Sequence, residues 1–162
     1  MRILVNEIQT NREKLGRPIA PAATTEELRM VQEEATQKLR YTLPPAYLDL
    51  LRLSNGLDWN GVQLYASQPR TRVTPEGRMK YLFRGIVEAN EQWRDFPPNE
   101  EFIFFAESGD VLYCYNLTSG KFEIVDRITK EMDDDQTDAF DTCEELLETL
   151  LNHMLDRYEG EV

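Results

Sequence analysis

The sequence predicts an α+β fold: an antiparallel or mixed β-sheet meander with helices packed on it, N-terminal helices before the sheet and a C-terminal helix after it. Three observations point there. Thr24 and Glu27 form a capping-box pair ahead of Leu28, Val31, Ala35 and Leu39, which recur at three- and four-residue intervals along one face of a helix. The runs FIFFA, VLYCY and FEIVDR then follow one another with turn residues between them, the signature of successive hairpins. Leu147, Leu150, Leu151, Met154, Leu155 and Tyr158 finally make a helical packing stripe.

The elements follow in chain order. Between residues 3 and 15, Leu4, Ile8 and Leu15 stand at roughly helical spacing. The next stretch, GRPIAPAATT, has two prolines and little charge, so a short helix and a linker are expected there. Residues 1–23 then read as an extension of one domain spanning 1–162. In LPPAYLDLLRLSNG, Leu43 to Gly56, the prolines suit a helix entrance and Asn55-Gly56 a left-handed stop. Ala46, Tyr47, Leu50, Leu51 and Leu53 cover more than one face, so this helix should be largely buried.

Val62 to Tyr65 reads as a strand. ASQPRTRVTPEGRMK, residues 66–80, keeps no apolar period and carries Arg70, Arg72, Arg78 and Lys80, which predicts an exposed basic loop. A helix is expected around Val87 to Trp93, followed by turn-rich residues 95–101 and the three-strand meander. Asn116-Leu117-Thr118 is formally a glycosylation acceptor, but it sits where the meander needs a turn. Asp141, Thr142, Glu144 and Glu145 supply the cap and first turn of the closing helix.

Composition narrows the function classes. Across 162 residues, 30 acidic and 18 basic side chains give a net charge of −12, a field that repels nucleic-acid backbones and anionic lipid. A basic partner would be attracted instead. Cys114 and Cys143 are far apart, no Cys/His cluster has metal spacing, and no run reaches membrane-spanning length, which together lead us to expect a cytoplasmic protein.

No catalytic set, cofactor motif or metal site is recognised. Gly56, Gly61, Gly77 and Gly85 are scattered singly, unlike a phosphate-cradling loop. Asp133-Asp134-Asp135 lacks the glycine and terminal glutamate of a calcium loop. His153, the single histidine, reads as a structural residue near a helix C-terminus. Cys114 reads as core, whereas the first-turn place of Cys143 could lower its pKa.

The candidate binding residues are Glu131, Asp133, Asp134, Asp135 and Asp138, within an acid run that lacks Lys and Arg, together with the aromatics Trp59 and Tyr65. For the acids, a solvated loop and a partner-facing patch are both open. In the second case the carboxylates would meet a partner's Lys and Arg with charge-assisted hydrogen bonds. For Trp59, Tyr65 and Trp93, an exposed anchor and a core cap are both open.

The segments LPPAYLDLLRLSNG and FIFFAESGDVLYCYNLTSG, with the acidic entry AFDTCEELLETLL into the last helix, resemble the SUKH superfamily over about Leu43 to Leu155. That superfamily includes bacterial immunity proteins and a fungal cell-wall synthesis regulator, and the nearest likeness is to its YrhA-like subgroup. The resemblance implies an α+β fold and a non-enzymatic protein that neutralises a cognate toxin domain by binding it; with the acidic charge, we expect that domain to be nuclease-like or otherwise basic and to be blocked at its active site or substrate groove. A non-toxin scaffold or regulator of the same fold is the alternative. A hydrolase is a further one, and it would need paired carboxylates in one cleft. Nothing in the sequence selects between a monomer and a weak homodimer.

Overall fold

The computed structural model describes residues 1–97, 99–132 and 139–158. Helix α1 (Arg2–Lys14) leads through a linker to α2 (Thr25–Glu34). The predicted capping box closes α2: Thr24 Oγ1 accepts from the Glu27 N–H at 3.1 Å, and Glu27 Oε1 accepts from the Thr24 N–H at 3.0 Å. One π-helical turn, Ala35–Leu39, extends the helix until Arg40 ends it in a left-handed conformation (φ 52°). Leu28, Val31, Ala35 and Leu39 are all buried, as their spacing requires.

In α1 the buried face is Val5, Ile8 and Arg12, in place of the expected Leu4, Ile8 and Leu15. Leu15 lies past the helix end and is exposed. Arg12 takes the third core position because its charge is matched there: it donates to the Asp58 carboxylate and backbone carbonyl, and its Nε donates to the Pro18 carbonyl at 3.0 Å. This guanidinium ties α1, the linker and the first strand together.

Helix α3 (Pro45–Leu51) begins with proline at its first turn and buries Ala46, Tyr47, Leu50 and Leu51. The chain then turns through Asn55 and Gly56. The predicted strand at Val62 is the second half of a hairpin: β1 (Leu57–Trp59) and β2 (Val62–Leu64) are joined by Asn60 and Gly61, both at positive φ, as a tight hairpin turn demands.

A second correction concerns residues 66–80. Glu76 and Arg78 are exposed as expected, but the segment contributes to a hairpin, β3 (Arg70–Val73) and β4 (Met79–Phe83), which forms a separate two-stranded sheet. The turn makes it: the Gly77 N–H reaches the Thr74 carbonyl at 2.9 Å, and Gly77 takes φ 78°. Apolar period fails as a signal here because Thr71, Val73, Met79 and Leu82 are exposed.

Helix α4 (Ile86–Trp93) precedes the meander β5 (Phe102–Glu107), β6 (Val111–Asn116) and β7 (Lys121–Asp126). With β8 (Ala139–Phe140) the main sheet runs β1-β2-β5-β6-β7-β8, every neighbouring pair antiparallel. Residues 102–106 are buried on both pleat faces, so helices must cover this centre. Asn116 shapes the β6–β7 turn as expected, its side-chain oxygen accepting from the Thr118 and Ser119 N–H groups. Helix α5 (Cys143–Met154), capped by Thr142, packs on α1, α3, β7 and β8. Among the described residues no helix is long and apolar enough to cross a membrane.

Candidate functional site

Asn55-Gly56 is a structural junction. The Asn55 N–H donates to the Pro21 carbonyl, its amide nitrogen donates to Glu27 and Ser67, and its amide oxygen accepts from the Ser67 N–H at 2.8 Å. A side chain at Gly56 would meet the Phe83 ring at 2.9 Å, and φ 91° also favours glycine. One dipeptide thus joins the linker, the α2 cap and the base of the β3–β4 hairpin. Gly85 is equally confined, since a Cβ there would meet Pro69 at 2.7 Å.

A cleft of about 570 Å³ opens between the β1–β2 turn, the β5–β6 turn and the end of α5. Asn60 and Gly61 form one rim, Ser108 to Asp110 another, and Tyr113, His153 and Tyr158 line the aromatic wall. Tyr113 Oη and His153 Nδ1 share a 2.9 Å hydrogen bond. Tyr158 stacks on the imidazole, with ring centroids 4.5 Å apart and planes 25° from parallel. Asn60 fixes the first rim by donating to the Met154 carbonyl at 3.2 Å. Asp110 is exposed on the second rim, where Ser108 Oγ accepts from the Val111 N–H at 3.0 Å. Exposed Tyr158 and Asp110, with half-buried His153 between Tyr113 and Tyr158, are the groups the cleft offers to a cationic side chain.

The sequence candidates fall in different places. Trp59 is half-buried on the β1–β2 hairpin, with the Arg17 guanidinium 5.7 Å from its ring centre. It stands next to the Asn60-Gly61 rim. Glu131 is exposed, and its backbone carbonyl accepts from the Asp126 N–H at the end of β7. Asp133, Asp134, Asp135 and Asp138 lie outside the described residues.

Tyr65 must be withdrawn as a surface anchor. It is fully buried, its hydroxyl accepts from Trp93 Nε1 at 3.1 Å, and its backbone carbonyl accepts from the Tyr47 hydroxyl at 2.6 Å. Burial, with Glu107 second, holds its phenol well above the ordinary tyrosine range. Trp93 is partly buried against the core, with Arg84, Arg127 and Lys130 each within 6 Å of its ring centre, and Glu107 binds Arg84 and Arg127.

The structure also corrects the thought that Cys143 is activated. Its burial, followed by the nearby Glu144, pushes the thiol up to about 12, against the pull of the helix first turn. Burial raises Cys114 as well, and its thiol donates to the Glu123 carbonyl. Among the described residues Glu123 is the one buried acid, bound to Asn116 and Ser119 and to no second carboxylate. No group of three His, Cys, Asp or Glu positioned for a metal occurs among the described residues.

His153 and Tyr158 are the site residues that sequence reading missed. The signal was present: a lone histidine beside Met154, with a tyrosine five residues on, lies at the end of the packing stripe. What the sequence could not give is Tyr113, forty residues away, as their partner.

Residues 22–149 match the SMI1/KNR4 family (SUKH-1). No curated protein matches the chain. The matched range takes in the Asn55-Gly56 junction, the main sheet and most of α5, while α1, His153 and Tyr158 stand outside it.

Proposed function

The chain belongs to the SMI1/KNR4 family (SUKH-1), and on that premise we propose that it is an immunity-type protein that binds a cognate toxin domain and blocks its active site or substrate groove. The family match over residues 22–149 is the observation that carries this reading, because membership supports an immunity-like or cell-wall-regulator role. The net charge of −12 favours a basic toxin surface, as on an enzyme that grips nucleic acid.

The partner-facing region we assign is the His153 cleft with its neighbours. Asp110 and Tyr158, backed by His153 and Tyr113, would receive a lysine or arginine from the toxin, and Trp59 would pack at the adjoining rim. Glu131 and the sequence acids Asp133, Asp134, Asp135 and Asp138 would add to the negative charge that draws a basic toxin. The protein works by obstruction and makes or breaks no covalent bond. It is one domain over 1–162, with residues 1–23 as an extension, and it acts in the cytoplasm.

Co-expression with the toxin domain encoded beside its gene is the test. Protected cells and a co-purifying complex are expected, with Trp59→Ala and Asp110→Asn each weakening protection. Cells that die equally with and without the protein, and no complex, sink the reading. A non-toxin scaffold or regulator remains the second reading; the cell-wall branch of the family favours it.

A further inference from the structure

We propose that the groove between the 16–21 linker and the β3–β4 hairpin is a separate binding site, which takes an acidic, aliphatic segment of a partner protein. The inference does not rest on the toxin reading: the groove adjoins that cleft where Arg17 meets Trp59, but it has its own lining and the opposite charge. The groove measures about 480 Å³, with Pro18, Ile19 and Pro21 on the linker wall and Leu82 and Phe83 on the hairpin wall. Both walls are held in place from behind, the linker by Asn55 on Pro21 and the hairpin by Phe83 on Gly56.

Charge decides the occupant. Arg12, Arg17 and Arg70 line the groove against Asp58 alone, and Asp58 is already engaged by Arg12. Arg17 is exposed above the linker and rests over Trp59. Arg70 adds to this: it is half-buried in the groove wall, and its Nη1, shielded from solvent, has no hydrogen-bond partner among the described residues. A buried charged donor is costly to leave unmade, and a carboxylate is the acceptor that fits it best.

The surrounding sequence has the same bias. From Ala66 to Arg84 the chain carries Arg70, Arg72, Arg78, Lys80 and Arg84 against Glu76, in a protein whose net charge is −12. An anionic ligand is repelled by most of this molecule and drawn to this end of it. The apolar walls add selectivity for carboxylates borne on aliphatic neighbours over free inorganic anions.

The test uses the full chain and two labelled peptides, Leu-Glu-Leu-Glu-Leu and Leu-Gln-Leu-Gln-Leu, followed by fluorescence anisotropy. Saturable binding of the Glu peptide is expected, with the Gln peptide about tenfold weaker or more, the scale of one lost charge-assisted hydrogen bond. Arg70→Gln should weaken the Glu peptide by a similar factor. Arg17→Gln, at an exposed position that cannot unfold the groove, should weaken it several-fold. Arg29→Gln on α2 removes equal charge elsewhere and should leave binding unchanged. Equal binding of the two peptides, no saturable binding of either, or equal losses in Arg29→Gln and Arg70→Gln overturn the proposal. Self-association that the Glu peptide competes away would give the groove to a second copy and overturn the partner assignment.

Discussion

The β5–β6–β7 centre and the β3–β4 hairpin are both antiparallel, with strands of four to six residues, yet different forces hold them. In the centre, Phe104, Phe105, Leu112, Tyr113, Ile124 and Val125 are buried, and each such side chain contributes roughly 1.5–3 kcal/mol by leaving water. In the hairpin, Val73 and Met79 face each other in register and are 71% and 68% exposed. Backbone pairing and a glycine turn shape it, and Phe83 at its base packs against Gly56. Burial fixes the first region and leaves the second available to a ligand.

The largest effect should come from alkali, and it should fall on the buried body. Burial is the first cause raising the phenols of Tyr41, Tyr47 and Tyr65 above their ordinary value of 10.0. Because the folded values lie above the unfolded one, their contribution to stability is complete below pH 10 and is lost as pH rises through the folded values. Tyrosinate absorbance for these three residues and loss of far-UV circular dichroism should therefore rise in one transition. Ionisation that precedes unfolding would break the claim that this body is dry.

Asn90 tests the same body next. Strand β2 pairs with β5 only at Glu107 and Ala106, which leaves the outward backbone of Phe104 without a strand. The Asn90 side chain stands in for one, donating to the Phe104 carbonyl and accepting from its N–H, each at 2.8 Å. Asn90→Ala orphans both groups and should cost about 3 kcal/mol in urea denaturation, at roughly 1–3 kcal/mol for each buried group left unmade. A loss under about 1 kcal/mol would mean that α4 is not what completes this edge. Tyr47→Phe is milder: it removes one donor from the Tyr65 carbonyl and should cost about 1–2 kcal/mol.

Legibility divides along the same line. Helix α2 was readable to its cap, because Thr24, Glu27 and the stripe to Leu39 act within one element. The meander was readable because its turns and apolar runs alternate within twenty-five residues, Phe102 to Asp126. The β3–β4 hairpin was not, since an exposed strand has no apolar period and its Thr74–Gly77 turn looks like any loop. Arg12 was missed because a core guanidinium needs Asp58 and Pro18, which only the fold supplies. The candidate cleft was the least legible part: its aromatic wall joins β6 to the end of α5, and Tyr65, chosen for its chemistry, turned out to be interior.

The smallest effect should be at the hairpin tip. Val73→Thr keeps a β-branched side chain at a strand position, and Met79→Thr introduces one opposite it, so backbone pairing survives both. Neither residue has much surface to lose, so each change should stay within about 0.5 kcal/mol, the range of surface substitutions remote from packed features. The urea slope should also hold, because the area exposed on unfolding barely changes. Amide exchange sharpens the point: the Thr74 N–H, bonded to the Arg78 carbonyl, should exchange through local opening, far below the global free energy that protects Phe104 and Cys114. Equal protection would place the hairpin inside the cooperative core, and its exposed pair would then need a reason other than an open binding face.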